Sequence, residues 1–160
     1  MPGLFTGTEL NRDLEAAVEH IMKGFSALGL HPDVVDGVKA LHAAGYRLAT
    51  LTNGSTEVAE KLFNGAGIRD SFELLLSVED ARAWKPGKAS YEYAAAALGT
   101  SPEQMLLAAV HPWDIHGASR AGLATAWINR RGAPYPTYFQ APDHIVSVLP
   151  ELVPALDGRT

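Results

Sequence analysis

The chain has 160 residues, 47% of them hydrophobic and 19% charged, with a formal net charge of -5, which is enough apolar material for one core and makes one domain the default. The acidic balance, with no Lys/Arg cluster on any helix face, excludes a large electrostatic attraction to phosphate backbones or anionic lipid, so neither nucleic acid nor membrane is expected as a partner. Zero cysteines remove disulfides, thiolate nucleophiles and cysteine zinc sites, and without an 18-residue apolar run or a basic-then-apolar leader a soluble, cytoplasmic protein is expected.

Leu14, Val18, Ile21, Met22, Phe25 and Leu28 recur at three- and four-residue steps, predicting an amphipathic helix over residues 11–28 stopped by Gly29. Asp33 is placed to cap a second helix carrying Val34, Val35, Val38 and Leu41, which Gly45 ends in the left-handed conformation. Residues 46–51 (YRLATL) read as a strand, and the turn Thr52-Asn53-Gly54-Ser55 leads into a helix over 56–66 closed by Gly67. The unit then recurs as strand 72–77 with helix 89–98, strand 105–110 with helix 115–121, and strand 124–128. The tail is Pro-rich and then helical around 145–156, placed to cover an edge or pack on the sheet.

Strands alternating with glycine-terminated helices imply right-handed crossovers and a parallel sheet, an α/β layered fold. In such a sheet the ligand site lies outside the carboxyl ends of the strands. The candidates are therefore Thr52 and Asn53, the loop 78–85 ending at Lys85, residues 111–114, and 129–131. Each has a plain structural reading: Thr52 and Asn53 as turn and cap, Lys85 as a solvated loop lysine, Asp114 as the cap of a helix starting at Ile115. Together a hydroxyl, an amide, an ammonium and a carboxylate converge on one sheet edge beside Trp113, a set suited to a small anionic substrate.

The order LTNGS, WKP, HPWDIHGASRAGL and AWINRRG resembles the haloacid dehalogenase superfamily, and within it the 2-haloacid dehalogenase type, from about His31 onward. The resemblance implies a Rossmann-like three-layer core over residues 31–160, preceded in 1–30 by part of a helical cap. It aligns Thr52-Asn53 with the family's second motif, Lys85-Pro86 with its third and Asp114 with the acid of its fourth. It makes Tyr91 a substrate-side residue and assigns Asn53 and Trp113 to a halide cradle. The implied reaction is attack of an aspartate on Cα of a 2-haloacid, expulsion of halide, and hydrolysis of the resulting ester with help from Asp114 and Lys85.

Three departures qualify that picture. No aspartate followed two or three residues later by Gly-Thr follows an apolar strand: Leu4-Phe5-Thr6-Gly7-Thr8 keeps only the Gly-Thr. The chain is therefore read as beginning inside the cap, with the first core strand and its nucleophile missing, and inactive as it stands. In that family the missing strand lies between those ending at Thr52 and Val110. Its loss leaves two unpaired edges, or lets those strands close on each other, and exposed edges predict self-association of the isolated chain. Ala109 and His111 stand where the dehalogenase branch commonly has serine and asparagine, leaving His111 either a carboxylate donor or a plain loop residue. The loop before Asp114 lacks the extra acid of magnesium-dependent phosphatases, so no metal and no cofactor are expected. A zinc site from His111, Asp114 and His116 is weaker still, because no second ligand cluster exists. Two other readings stay open: a non-catalytic binding remnant of the fold, and a phosphatase of a small phosphorylated metabolite.

Overall fold

Two parallel ladders organise the chain in the computed structural model, which describes residues 13–26 and 28–158. The first pairs β1 (Ala49–Thr52) with β2 (Leu74–Ser77). The second runs in the order β3 (Leu106–Ala109), β4 (Ala124–Ile128) and β5 (His144–Val146). Among the described residues no strand pair joins β1 to β3. The edges expected to face a gap are therefore unpaired, and the alternative of direct closure is not adopted.

The helices are α1 (Leu14–Ser26), α2 (Val34–Ala43), α3 (Thr56–Gly65) and α4 (Val78–Ala81) in the first half. In the second half come α5 (Lys88–Ala97), α6 (Pro112–Ala121) and α7 (Leu152–Leu156). On one sheet face Tyr91 of α5 and Ala118 and Ala121 of α6 form an apolar cluster that also receives Leu51 and Leu107. On the other, Leu41 of α2 and Leu152 of α7 gather Leu48 and Leu106. Leu106 and Leu107 thus serve opposite faces, as the two-residue period of a strand requires. The result is the three-layer α/β arrangement that the alternating elements imply.

β4, flanked on both sides, is buried from Thr125 to Ile128; β1 and β3 contain no buried residue, whereas β2 and β5, each with one neighbour among the described residues, bury Leu76, Ser77 and Val146.

Several boundaries differ from the sequence reading for identifiable reasons. β1 starts at Ala49 rather than Tyr46, because Arg47 is exposed and spends its guanidinium on Glu73 (2.6 and 2.8 Å) and on the Leu98 carbonyl (2.9 Å). The loop after β2 contains the short α4, capped by Ser77, whose hydroxyl accepts the Glu79 N–H. Ile145 lies in β5, not in a helix, because Asp143 accepts both the N–H and the hydroxyl of Thr125 (2.8 and 2.9 Å) and so lays the tail along β4. Ile145 itself is exposed.

Asp33 sits at the predicted cap position of α2 but makes no cap bond with its side chain. Its carboxylate instead receives Arg130 in a two-pronged pair (2.9 and 2.8 Å) and the Leu149 N–H (2.9 Å), since a charged fork outcompetes a neutral amide. The pair is mostly buried and ties the start of α2 to the end of β4. Gly37 lets α2 approach the 3-10 turn Leu149–Glu151 that leads into α7, as a Cβ there would fall 2.6 Å from Leu149. Asp33→Ala is expected to lower unfolding stability by about 3 kcal/mol at neutral pH, because it strands the Arg130 charge. Arg130 holds the Asp33 carboxyl below its ordinary value of 3.8. The stabilisation is therefore complete above that value and lost as pH falls through the lower folded one. Urea melts should show the gap between wild type and variant closing in acid; a gap unchanged there contradicts the pairing.

On α1 the periodic stripe is exposed: Leu14 is 68% and Ile21 56% accessible. The side chains of Met22 and Phe25, the predicted helix start at Asn11 and Arg12, Ala27, and residues 4–8 lie outside the described residues, while Leu28, the predicted end, lies beyond α1. No described helix is long and apolar enough to cross a membrane.

Candidate active site

The turns that follow β1, β2 and β3 meet at one edge, and side-chain-to-backbone bonds join them. After β1, Thr52 accepts the Gly54 N–H on its hydroxyl (3.0 Å), and Ser55 caps α3 by accepting from Glu57 (3.1 Å). Ser77, at the end of β2, donates to the Gly54 carbonyl (3.0 Å) and so ties the two strand ends together. Asn53 reaches further. Its amide oxygen accepts the Lys85 N–H (3.1 Å) while its NH₂ donates to the Lys85 carbonyl (3.3 Å), clamping that residue's backbone.

Clamped in this way, Lys85 turns inward. Its ammonium donates to Asp114 Oδ2 at 2.6 Å, with the two side chains only 11% and 5% exposed. The other carboxylate oxygen of Asp114 accepts the Tyr91 hydroxyl at 2.6 Å, and that hydroxyl also lies 3.2 Å from the Asp114 carbonyl. Tyr91 is 1% exposed. Burial first, and then the adjacent Asp114 carboxylate, push its phenol well above the usual tyrosine range, so it remains a neutral donor. Asp114 is thereby held at both oxygens, by one cation and one neutral hydroxyl.

The helix that carries Asp114 starts earlier than its sequence suggested. Pro112 takes the first position of α6, where its missing N–H has no cost, and His111 occupies the cap site. Asp114 is thus not a cap but sits inside the first turn, where a negative charge is favoured by the helix dipole. Close approach between α6 and the Lys85-Pro86 loop depends on Gly117. A Cβ there would lie 2.5 Å from Pro86 Cβ and 2.8 Å from the Tyr91 hydroxyl.

Two aromatic residues that the sequence reading passed over fix the loop before α6. Trp127, buried in β4, donates its indole N–H to the Val110 carbonyl (3.0 Å), and Tyr135 meets Trp127 edge-on with ring centres 5.0 Å apart. The Tyr135 hydroxyl lies 2.8 Å from the Gln140 carbonyl and 3.3 Å from that of Pro112. His116 accepts the Gln140 N–H on Nδ1 (3.0 Å), so it is engaged with the tail rather than with Asp114. Nothing in the local sequence marks Trp127 for this task; Gly117 was visible only as one small residue in a helical run.

Of the seven candidates, Lys85, Asp114, Tyr91 and Asn53 are joined by direct hydrogen bonds, and Thr52 adjoins them through its turn. His111 and Trp113 stack on each other with ring centres 5.2 Å apart. Among the described residues neither side chain is hydrogen-bonded to Lys85 or Asp114; the His111 carbonyl only accepts the Asp114 backbone N–H (3.0 Å) at the start of α6. Among the same residues no three His, Asp or Glu side chains are grouped to hold a metal ion.

Known proteins resemble this chain in sequence and in fold. The sequence model for haloacid dehalogenase-like hydrolases matches residues 5–122. Haloacetate dehalogenase H-2 of Moraxella sp. (strain B) is 37% identical over 139 residues, which is 87% of this chain and 62% of that protein. The (S)-2-haloacid dehalogenase of Pseudomonas sp. (strain YL) is 35% identical over 93% of this chain and 65% of its own length. The chain therefore spans less than two thirds of these curated relatives. Among solved structures, L-2-haloacid dehalogenase from Xanthobacter autotrophicus with chloropropionic acid covalently bound superposes with a TM-score of 0.81 at 26% identity. That match covers 94% of this chain and 70% of the other. The matched family segment runs from before α1 through α6 and takes in the Asn53–Lys85–Asp114–Tyr91 network, and on that ground the chain belongs to the haloacid dehalogenase-like hydrolase family.

Proposed function

We propose that this chain supplies the charge-balancing half of a site that hydrolyses the carbon–halogen bond of a short 2-haloacid. The observation that carries the reading is the Lys85–Asp114–Tyr91 network, a lysine ammonium held in a mostly buried pocket at the carboxyl ends of β1 and β3. An ammonium fixed there balances a nucleophilic carboxylate and the carboxylate of the substrate. That nucleophile attacks Cα, the carbon–halogen bond breaks with its electron pair leaving as halide, and water then cleaves the ester.

The remaining side chains divide the supporting work. Asp114 orients Lys85, and Tyr91 orients Asp114: its single hydroxyl proton is committed there, so it acts through Asp114 rather than on substrate. Asn53 uses one amide N–H on the Lys85 carbonyl and retains a second for the leaving halide. Trp113, stacked on His111, offers an aromatic wall to the same ion. Thr52 places its hydroxyl at the end of β1 beside the nucleophile's position.

The test extends the chain upstream with an apolar strand that ends in aspartate and is followed by Gly-Thr. Chloride release from 2-chloropropionate is then measured. Turnover is expected, with Lys85→Ala lowering it by about a thousandfold, the scale of losing one preorganised charge. Background release from a folded extended chain would overturn the dehalogenase reading, and magnesium-dependent phosphate release in its place would assign the site to phosphate esters.

A further inference from the structure

We propose that His111 is the base of the second half-reaction, the group that takes a proton from water as water opens the aspartyl ester. The proposal rests on the preceding functional reading, which supplies that ester. The network around Asp114 is not built to take the proton itself. Lys85 is an ammonium, with no lone pair to accept one. Tyr91 keeps its own proton, because burial and the adjacent Asp114 carboxylate push its phenol up. Asp114 already accepts from both neighbours at 2.6 Å, and protonating it would strip a mostly buried ammonium of its anion. His116 accepts the Gln140 N–H on Nδ1 (3.0 Å), and the acids Glu79 and Asp80 belong to α4, which follows β2 rather than β3.

His111 is placed for the task. It lies two residues past β3 and occupies the cap site of α6 without spending its side chain on a cap bond. Its carbonyl accepts the N–H groups of Asp114 (3.0 Å) and Ile115 (3.2 Å), so the two residues share one turn of helix. The main chain on either side is also fixed. The Trp127 indole holds the Val110 carbonyl (3.0 Å), and the Tyr135 hydroxyl lies 3.3 Å from that of Pro112. The ring is left free: the residue is exposed, and among the described residues its imidazole makes no hydrogen bond and stacks on Trp113. A pinned backbone that presents an unspent imidazole suits a general base, which must be positioned before its proton affinity matters.

In the step itself, water attacks the ester carbonyl carbon and gives one proton to an imidazole nitrogen of His111. The tetrahedral adduct collapses with cleavage of the acyl–oxygen bond, and the departing alkoxide of the 2-hydroxy acid takes that proton from the imidazolium. The aspartic acid left behind loses its own proton to solvent, which restores the nucleophile and accounts for the acid released with halide.

The experiment mixes the upstream-extended chain with 2-chloropropionate and follows chloride and intact mass with time. His111→Phe keeps an aromatic ring against Trp113 but has no nitrogen. It is expected to release a first equivalent of chloride at the parent rate and then stall with the ester group on the chain. Steady turnover falls about a hundredfold or more, the scale of a lost general base. His111→Gln, which is polar but not basic, should stall in the same way. Unchanged turnover in these variants, or a first chloride slowed in the same proportion as turnover, would overturn the base and leave the dehalogenase reading standing. No first chloride from the parent chain overturns the dehalogenase reading and the base with it. In the 160-residue chain as it stands, diethyl pyrocarbonate should modify His111, and a ring protected from it would count against the proposal.

Discussion

Asp114→Ala is expected to lower the unfolding free energy of the chain by about 3–5 kcal/mol, a large share of the roughly 5–15 kcal/mol that holds an ordinary domain together. The change removes both acceptors of a buried network at once. It leaves the Lys85 ammonium, 11% exposed, without its anion, and the Tyr91 hydroxyl without its acceptor at 2.6 Å. Breaking one side of such a pair is costly because the surviving charge stays desolvated, whereas replacing both sides relieves it. The double variant Asp114→Leu with Lys85→Met should therefore recover more than half of the loss. Urea denaturation of the two single variants and the double variant checks this. A single-variant change below about 1 kcal/mol, the level of a solvent-exposed pair, means that Lys85 and Asp114 are not coupled in solution.

Gly117→Ala reverses the sign usually seen for that substitution. In a helix interior, glycine to alanine normally stabilises by about 1 kcal/mol through propensity alone. Here the added Cβ meets Pro86 Cβ at 2.5 Å, the Pro86 carbonyl at 2.8 Å and the Tyr91 hydroxyl at 2.8 Å. One of those neighbours is backbone, and another is the donor to Asp114, so α6 must move off the Lys85-Pro86 loop. Overpacking of this kind costs about 1–3 kcal/mol, and loosening the Tyr91–Asp114 bond adds to it. A net loss of about 2 kcal/mol is expected, together with a tyrosine environment changed in near-ultraviolet circular dichroism. Gly65→Ala is the control, because a Cβ added there, at the end of α3, would meet nothing within 4 Å; it should be neutral or mildly stabilising. Equal effects at the two positions would remove the case for close approach at Gly117.

Much of this architecture could be read from the sequence because its signals are local. Apolar runs bounded by glycines placed β1 to β4 and their helices within a few residues, and Gly122, which closes α6 in the left-handed conformation, is one such stop. The errors came where a distant partner outbid a local one. Asp33 is a natural cap, yet Arg130 takes it from 97 positions away. Ile145 sits in a segment with helical spacing, yet Asp143 commits it to β4 through Thr125.

The site divides the same way. Thr52, Asn53, Lys85 and Asp114 stood out as strand-end residues. That the Asn53 amide grips Lys85 by its backbone, that Tyr91 serves Asp114, and that Trp127 pins the Val110 carbonyl are consequences of packing no spacing encodes.

The division of the sheet also bears on how the chain folds. Every ladder joins a strand to the next strand along the sequence, β1 to β2, β3 to β4 and β4 to β5. Every one of these pairings is parallel, so each must close a crossover connection rather than a tight turn, and the entropy of closure grows with its length. What joins the two ladders are side chains: the Lys85–Asp114 pair, the Arg130–Asp33 fork and the apolar clusters that hold Leu51 with Leu107 and Leu48 with Leu106. Among the described residues the two ladders are therefore held together by side-chain packing and ion pairs rather than by strand hydrogen bonds.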